Sequence, residues 1–143
     1  MSSRSFTVLA IDPGSMKCGI VIATGPPPKL IDRAIVATAD AITSIGQFLR
    51  TCTSVDVILI GDGTGSRDLA KAIRAAYADY RLDIVDEFGT SIAARIRYCH
   101  ENPARGWKRI LPQGLRTPDK PYDDYVALIL AERWLQLHDE KQN

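Results

Sequence analysis

Two apolar runs separated by five residues, "SFTVLAID" at 5–12 and "CGIVIAT" at 18–24, constrain this chain more than any other feature. Both are built from consecutive aliphatic and β-branched side chains, so each buries both of its faces. Such a strand lies centrally in a sheet covered by helices on either side. The joining "PGSMK" is too short for a crossover, so the two strands are antiparallel. The "GPPP" turn at 25–28 ends the second run, because proline cannot donate to a ladder. "KLIDRAIVAT" then alternates polar and apolar positions, as an outer third strand does.

The period changes after that. "DAITSIGQFLRTC" places Ile42, Ile45, Phe48 and Leu49 at helical spacing, with Asp40 as the expected N-cap. "VDVILIGDG" is a fourth strand, apolar at its centre. "SRDLAKAIRAAYADY" is a second helix, with Ser66 as the expected cap and Leu69, Ile73, Ala76 and Tyr77 on one stripe. "RLDIVDE" is a fifth strand, and "TSIAARIRYCHEN" a third helix stopped by Pro103. A polar stretch containing Pro and Gly runs to Pro121, and "YDDYVALILAERWLQLHDE" closes the chain as a fourth helix. Three antiparallel strands followed by two parallel ones, with helices on both faces, define an α/β fold with a mixed five-stranded sheet. At 143 residues, with no internal repeat or linker, residues 1–143 are expected to form a single domain.

No run approaches the roughly 18 to 20 apolar residues that a membrane span needs. "MSSRSF" leads straight into a strand pattern without a signal-like apolar region, so a cytoplasmic location is expected. Cys18, Cys52 and Cys99 are scattered and odd in number, which points to reduced, buried thiols rather than disulfides or a zinc site.

Three acidic positions adjoin apolar elements rather than polar faces. Asp12 ends the first strand, Glu87 the fifth, and Asp123 with Asp124 opens the last helix. Each has a plain structural reading: a turn-former before Pro-Gly, an exposed strand-end charge, and acids favoured by a helix macrodipole. Together they acquire another. The first and fifth strands, if parallel, emerge at the same sheet edge, where open α/β sheets bind ligands. Clustered carboxylates raise one another's pKa unless a counter-charge is present, and Mg²⁺ or Mn²⁺ meets that need through oxygen ligands. Two such ions support phosphodiester cleavage.

The segments "AIDPGSMKCGIVIA", "VDEFGTSIAAR" and "DDYVALILAERWL" resemble the three signature segments of the YqgF (RuvX) family of RNase H-like proteins, and the likeness covers nearly the whole chain. Members are described as Holliday junction resolvases and as nucleases that process precursor ribosomal RNA. The resemblance implies an RNase H-like fold and a catalytic, metal-binding trio of Asp12, Glu87 and Asp123, with Asp124 as the alternative if the register slips by one. It also implies that Ser15 and Lys17 face a nucleic-acid backbone. Phe88 stands where the family has an arginine, and Ser15-Met16 where it has Thr-Lys.

Charge distribution agrees with a polyanionic partner. Arg95, Arg97, Arg105, Lys108, Arg109, Arg116 and Lys120 face only Glu101 and Asp119 between positions 95 and 120, a local excess of five on a chain of net charge +1. Trp107 within this segment offers a stacking surface or a buried anchor. The expected function is therefore a metal-dependent nuclease acting on structured RNA or branched DNA, as a dimer if it resolves junctions. The alternatives are a non-catalytic nucleic-acid-binding module of the same fold and, less compatible with a single domain, a sugar-kinase-like ATPase.

Overall fold

The computed structural model describes residues 4–52, 54–101 and 123–142. The elements follow in the expected order: β1 (Phe6–Asp12), β2 (Lys17–Gly25), β3 (Lys29–Ala37), α1 (Ala41–Thr51), β4 (Val57–Gly61), α2 (Ser66–Ala76), β5 (Leu82–Val85), α3 (Thr90–Glu101) and α4 (Asp123–Gln142). The five strands make one sheet in the order β3-β2-β1-β4-β5. β1 and β2 are antiparallel, as are β2 and β3, whereas β4 runs parallel to β1 and β5 parallel to β4. β1 is the central strand, as its two-faced apolar run requires.

Period-two alternation divides the core into two layers. Val8 and Ala10 of β1, Val21 and Ala23 of β2, and Val57 and Leu59 of β4 pack under α4, against Ala127, Leu130, Ala131 and Trp134. Leu9, Ile11, Ile20, Ile58 and Ile60 face the other way, onto Ile45 and Leu49 of α1 and Ala70 and Ile73 of α2. Each fully buried Leu or Ile contributes about 1.5–3 kcal/mol. α3 packs on α4 through Ala94, Tyr98 and Cys99 against Tyr125 and Val126. Arg97 of α3 joins this seam by pairing with Glu132, and Arg97 also reaches Glu101 at 3.5 Å. Burial lowers the Arg97 pKa, but the hydrogen bond and charge of Glu132, with Glu101 behind it, outweigh that and raise it overall.

Several local expectations need correction. Asp40 occupies the cap position of α1 at the end of a 3-10 turn, Thr38–Asp40, but its side chain makes no cap hydrogen bond. The α2 cap is Gly65, in the left-handed conformation, and Ser66 is the first helical residue. Ala76 is exposed, and Tyr77 lies just past α2, where its hydroxyl donates to the Ile42 carbonyl at 2.9 Å and ties α2 to α1. β5 stops at Val85, so Glu87 stands two residues beyond the strand rather than at its end. Cys18 and Cys99 are buried, while Cys52 is half-buried. Among the described residues no helix is long and apolar enough to cross a membrane.

Candidate metal-binding and nucleic-acid site

The site lies at the C-terminal edge of the three parallel strands. Ile11 pairs with Ile60 and Ile60 with Ile84, so one residue further on Asp12, Gly61 and Val85 stand side by side. Alternation puts Asp12 on the same face as Val8 and Ala10, and Gly61 on the same face as Val57 and Leu59, which is the α4 side. Beyond Asp12 the chain turns at once through Pro13 and Gly14. A Cβ on Gly14 would lie 2.4 Å from the Lys17 carbonyl oxygen, so only glycine allows the turn to close this tightly. Thr38 braces the turn from outside: its N–H donates to the Met16 carbonyl at 2.9 Å and its hydroxyl to the Gly14 carbonyl at 2.8 Å. Ser15, Met16 and Lys17 are exposed at the tip.

β1 and β5 are separated by β4, which at ordinary strand spacing leaves roughly 9.5 Å between their backbones. Glu87 bridges part of that gap by folding back over the end of β4. A Cβ on Gly61 would fall 1.9 Å from Glu87 Oε1, and one on Gly63 would fall 2.6 Å from Oε2. The two glycines thus form a bare floor on which the carboxylate rests. The backbone beneath it is fixed: the Glu87 N–H donates to Asp62 Oδ1 at 3.1 Å, and its carbonyl accepts from the Thr90 N–H and hydroxyl at 2.9 and 2.7 Å. Glu87 Oε1 is buried and has no hydrogen-bond partner, the one such side-chain atom among the described residues.

α4 completes the edge. Trp134 meets Phe6, at the start of β1, edge-on with ring centroids 5.3 Å apart. Counting back from Trp134 to residue 123 covers about 16 Å of helix, close to the roughly 20 Å of strand from Phe6 to Asp12. The α4 N-terminus therefore lies at the Asp12 end of the sheet. Residue 123 is one helical turn before Ala127, which packs on the sheet; the Asp123 side chain lies outside the described residues. Asp124 is buried and pairs with Arg33 Nε of β3 at 3.5 Å. Arg33 also lies over the Tyr125 ring, 5.3 Å from its centroid. Hydrogen bonding to Tyr125, together with the Tyr125 and Asp124 charges, raises the Arg33 pKa against the opposing effect of burial. This clamp on the first turn of α4 is absent from any sequence-level reading.

The expected acidic positions are thus brought to one edge as far as the described residues extend: Asp12 beside β4, Glu87 above it, and residue 123 at the facing helix start. Among the described residues no set of three or more acidic, His or Cys side chains forms a metal cage. Arg105, Lys108, Arg109, Arg116 and Lys120 lie outside the described residues, as does Trp107; Arg95 falls on α3, with its side chain outside them. The glycine floor was missed in the sequence; its one signal is a glycine closing an otherwise apolar strand, which marks a close approach without saying what approaches.

No protein-family model matches the sequence, and no curated protein matches it. Solved structures do. Thermus thermophilus RuvC in complex with a Holliday junction substrate is similar over 96% of both chains, at 14% identity and a TM-score of 0.56. The Fowlpox virus resolvase, in complex with substrate Holliday junction DNA, is similar over 91% of this chain and 99% of its own, at 10% identity and a TM-score of 0.57. A further T. thermophilus RuvC structure is similar over 96% of both chains, at 13% identity and a TM-score of 0.53. The fold is RNase H-like, in the arrangement these resolvases share.

Proposed function

We propose that this protein is a metal-dependent nuclease of YqgF type that hydrolyses phosphodiester bonds, with Asp12, Glu87 and Asp123 as ligands of Mg²⁺ or Mn²⁺. The observation that carries this reading is the buried, partnerless Glu87 Oε1 held over Gly61, which ends the strand next to Asp12, and Gly63 just beyond it. A buried carboxylate oxygen without a donor is costly, and a cation is the partner that removes the cost. The residues fit a hard divalent ion, because every candidate ligand is a carboxylate oxygen. When bound, such a pair of ions supplies an activated water and charge stabilisation at the leaving oxygen.

The chain's own residues have distinct tasks in this reading. Gly61 and Gly63 admit the Glu87 carboxylate, and the Asp62 and Thr90 bonds hold its backbone. The Pro13-Gly14 turn aims Asp12, while Asp124, held by Arg33, fixes the first turn of α4 and so the position of residue 123. Ser15 and Lys17, exposed beside Asp12, face the phosphate backbone, with the basic residues between 95 and 120 extending the contact. Two proteins of similar fold are bound to Holliday junction DNA, which favours branched DNA over structured RNA as substrate. Junction resolution takes two cuts and hence a dimer.

The test is cleavage of a labelled four-way junction and of a single-stranded RNA in Mg²⁺ or Mn²⁺. The junction is expected to be cut, EDTA to stop the reaction, and Asp12→Asn to bind without cutting. Cleavage of RNA alone overturns the substrate assignment. Unchanged cutting by Asp12→Asn overturns the site, and binding with no cleavage under either metal identifies a non-catalytic binding module.

A further inference from the structure

The backbone that carries Glu87 is tied in three directions. The Glu87 N–H reaches Asp62 beyond β4, and the Glu87 carbonyl accepts from Thr90 at the start of α3. The third direction is toward α4, where Arg133 Nη1 donates to the Phe88 carbonyl at 2.8 Å. Among the described residues no other hydrogen bond joins segment 86–90 to α4. Apolar packing does not replace it, because an open groove of about 530 Å³ lies between the end of β5 and α4, with Val85, Leu130 and Trp134 on its walls. Arg133 Nη2 also lies 3.8 Å from the place a Cβ on Gly89 would take, against the left-handed residue that leads into α3. The remaining ties between the two helices lie further along α3, where the Tyr98 ring meets the Tyr125 ring at 5.5 Å and Arg97 pairs with Glu132.

We infer that Arg133 is a positioning residue for the Glu87 carboxylate, acting through the Phe88 carbonyl to fix the separation between Glu87 and α4. The inference rests on the reading of the carboxylate edge as a divalent-cation site. Glu87 and residue 123 stand on different elements, and Mg²⁺ demands near-ideal octahedral geometry of its ligands. The Asp62 and Thr90 bonds fasten Glu87 to β4 and α3 but leave the start of α3 free to shift across the groove. Arg133 removes that freedom. An arginine suits the task, since its guanidinium donates a charge-assisted hydrogen bond and its planar fork fixes the direction of that bond. Such outer contacts typically govern metal affinity or activity by 10- to 100-fold without touching the metal.

The test is calorimetric titration of Mn²⁺ into the full chain, comparing wild type with Arg133→Met and Arg133→Lys. Arg133→Met keeps the aliphatic stem and removes the donors, so Mn²⁺ affinity should fall by about 10- to 100-fold. Its melting temperature should stay within a few degrees of wild type, because Arg133 belongs to neither core layer nor to the apolar α3–α4 seam. Arg133→Lys, which still donates to the carbonyl, should recover most of the affinity. Removing a positive charge beside a cation site raises affinity on electrostatic grounds alone, so the sign of the change separates positioning from charge. Undiminished or increased Mn²⁺ affinity in Arg133→Met overturns the inference, as does an equal loss in Arg133→Lys. A second measurement needs no metal: amide exchange at Thr90 and Ala93, whose hydrogen bonds open when segment 86–90 loosens, should be faster in Arg133→Met. If wild type takes up no Mn²⁺, the cation-site reading fails, and exchange alone then decides whether Arg133 fastens the loop; unchanged exchange overturns that too.

Discussion

Replacing Gly61 by alanine separates the site from the fold. The added Cβ would lie 1.9 Å from Glu87 Oε1, 2.5 Å from Cδ and 2.6 Å from Cγ, where ordinary contact begins at 3.4 Å. The carboxylate must therefore retreat by at least about 1.5 Å, and a shift of about 1 Å at a catalytic centre costs on the order of 100-fold in rate. Gly61 itself has no positive φ, and the atoms in the way belong to the far end of a flexible side chain, so the backbone tolerates the change. The expected result is a fall of about 100-fold or more in kcat/KM, equivalent to roughly 2.7 kcal/mol of transition-state stabilisation, with a melting temperature within a few degrees of wild type. Cleavage of a labelled junction in Mg²⁺, read beside thermal denaturation of the same preparation, supplies both numbers. A fully active Gly61→Ala protein would refute the placement of Glu87 at the reacting centre. A variant that unfolds would show that Gly61 serves the sheet instead.

Gly14→Ala should behave differently, since its Cβ would meet a backbone carbonyl that has nowhere to go; loss of about 1–3 kcal/mol of stability together with loss of cleavage is expected, measured by urea denaturation. Arg33→Met removes the Arg33–Asp124 ion pair at the first turn of α4, and should cost about 1–2 kcal/mol. Asp124→Asn added to it should recover part of that loss in a double-mutant cycle. Replacing Arg105, Lys108 and Arg109 together by alanine should weaken duplex-arm binding and flatten the log K against log[salt] slope by about 2.7, if each residue neutralises one phosphate; an unaltered slope would make them a solvated loop.

The strands were legible because their apolar runs are unbroken: β1, β2 and β4 declare burial on both faces, and the triple proline at 26–28 leaves no choice for the hairpin tip. Helix caps were not, because capping depends on the conformation of one residue. At α2 the left-handed Gly65 took the position that Ser66 was expected to hold. Asp12 and the start of α4 came to one edge as the topology requires. What the sequence could not show is how Glu87 comes to lie over the end of β4, since it sits beyond β5 and returns there only because Gly61 and Gly63 carry no side chains. The Arg33 tie to Asp124 was equally hidden, as it joins residues 91 positions apart through an edge strand that reads as ordinary polar alternation.

The central claim is that Asp12, Glu87 and Asp123 hold divalent cations, and calorimetric titration of Mn²⁺ into the purified protein tests it most directly. Saturable binding is predicted for wild type, with Glu87→Gln and Asp12→Asn each abolishing or weakening it at least tenfold while melting as folded proteins. Undiminished Mn²⁺ binding in both variants, or none in wild type, would contradict the account.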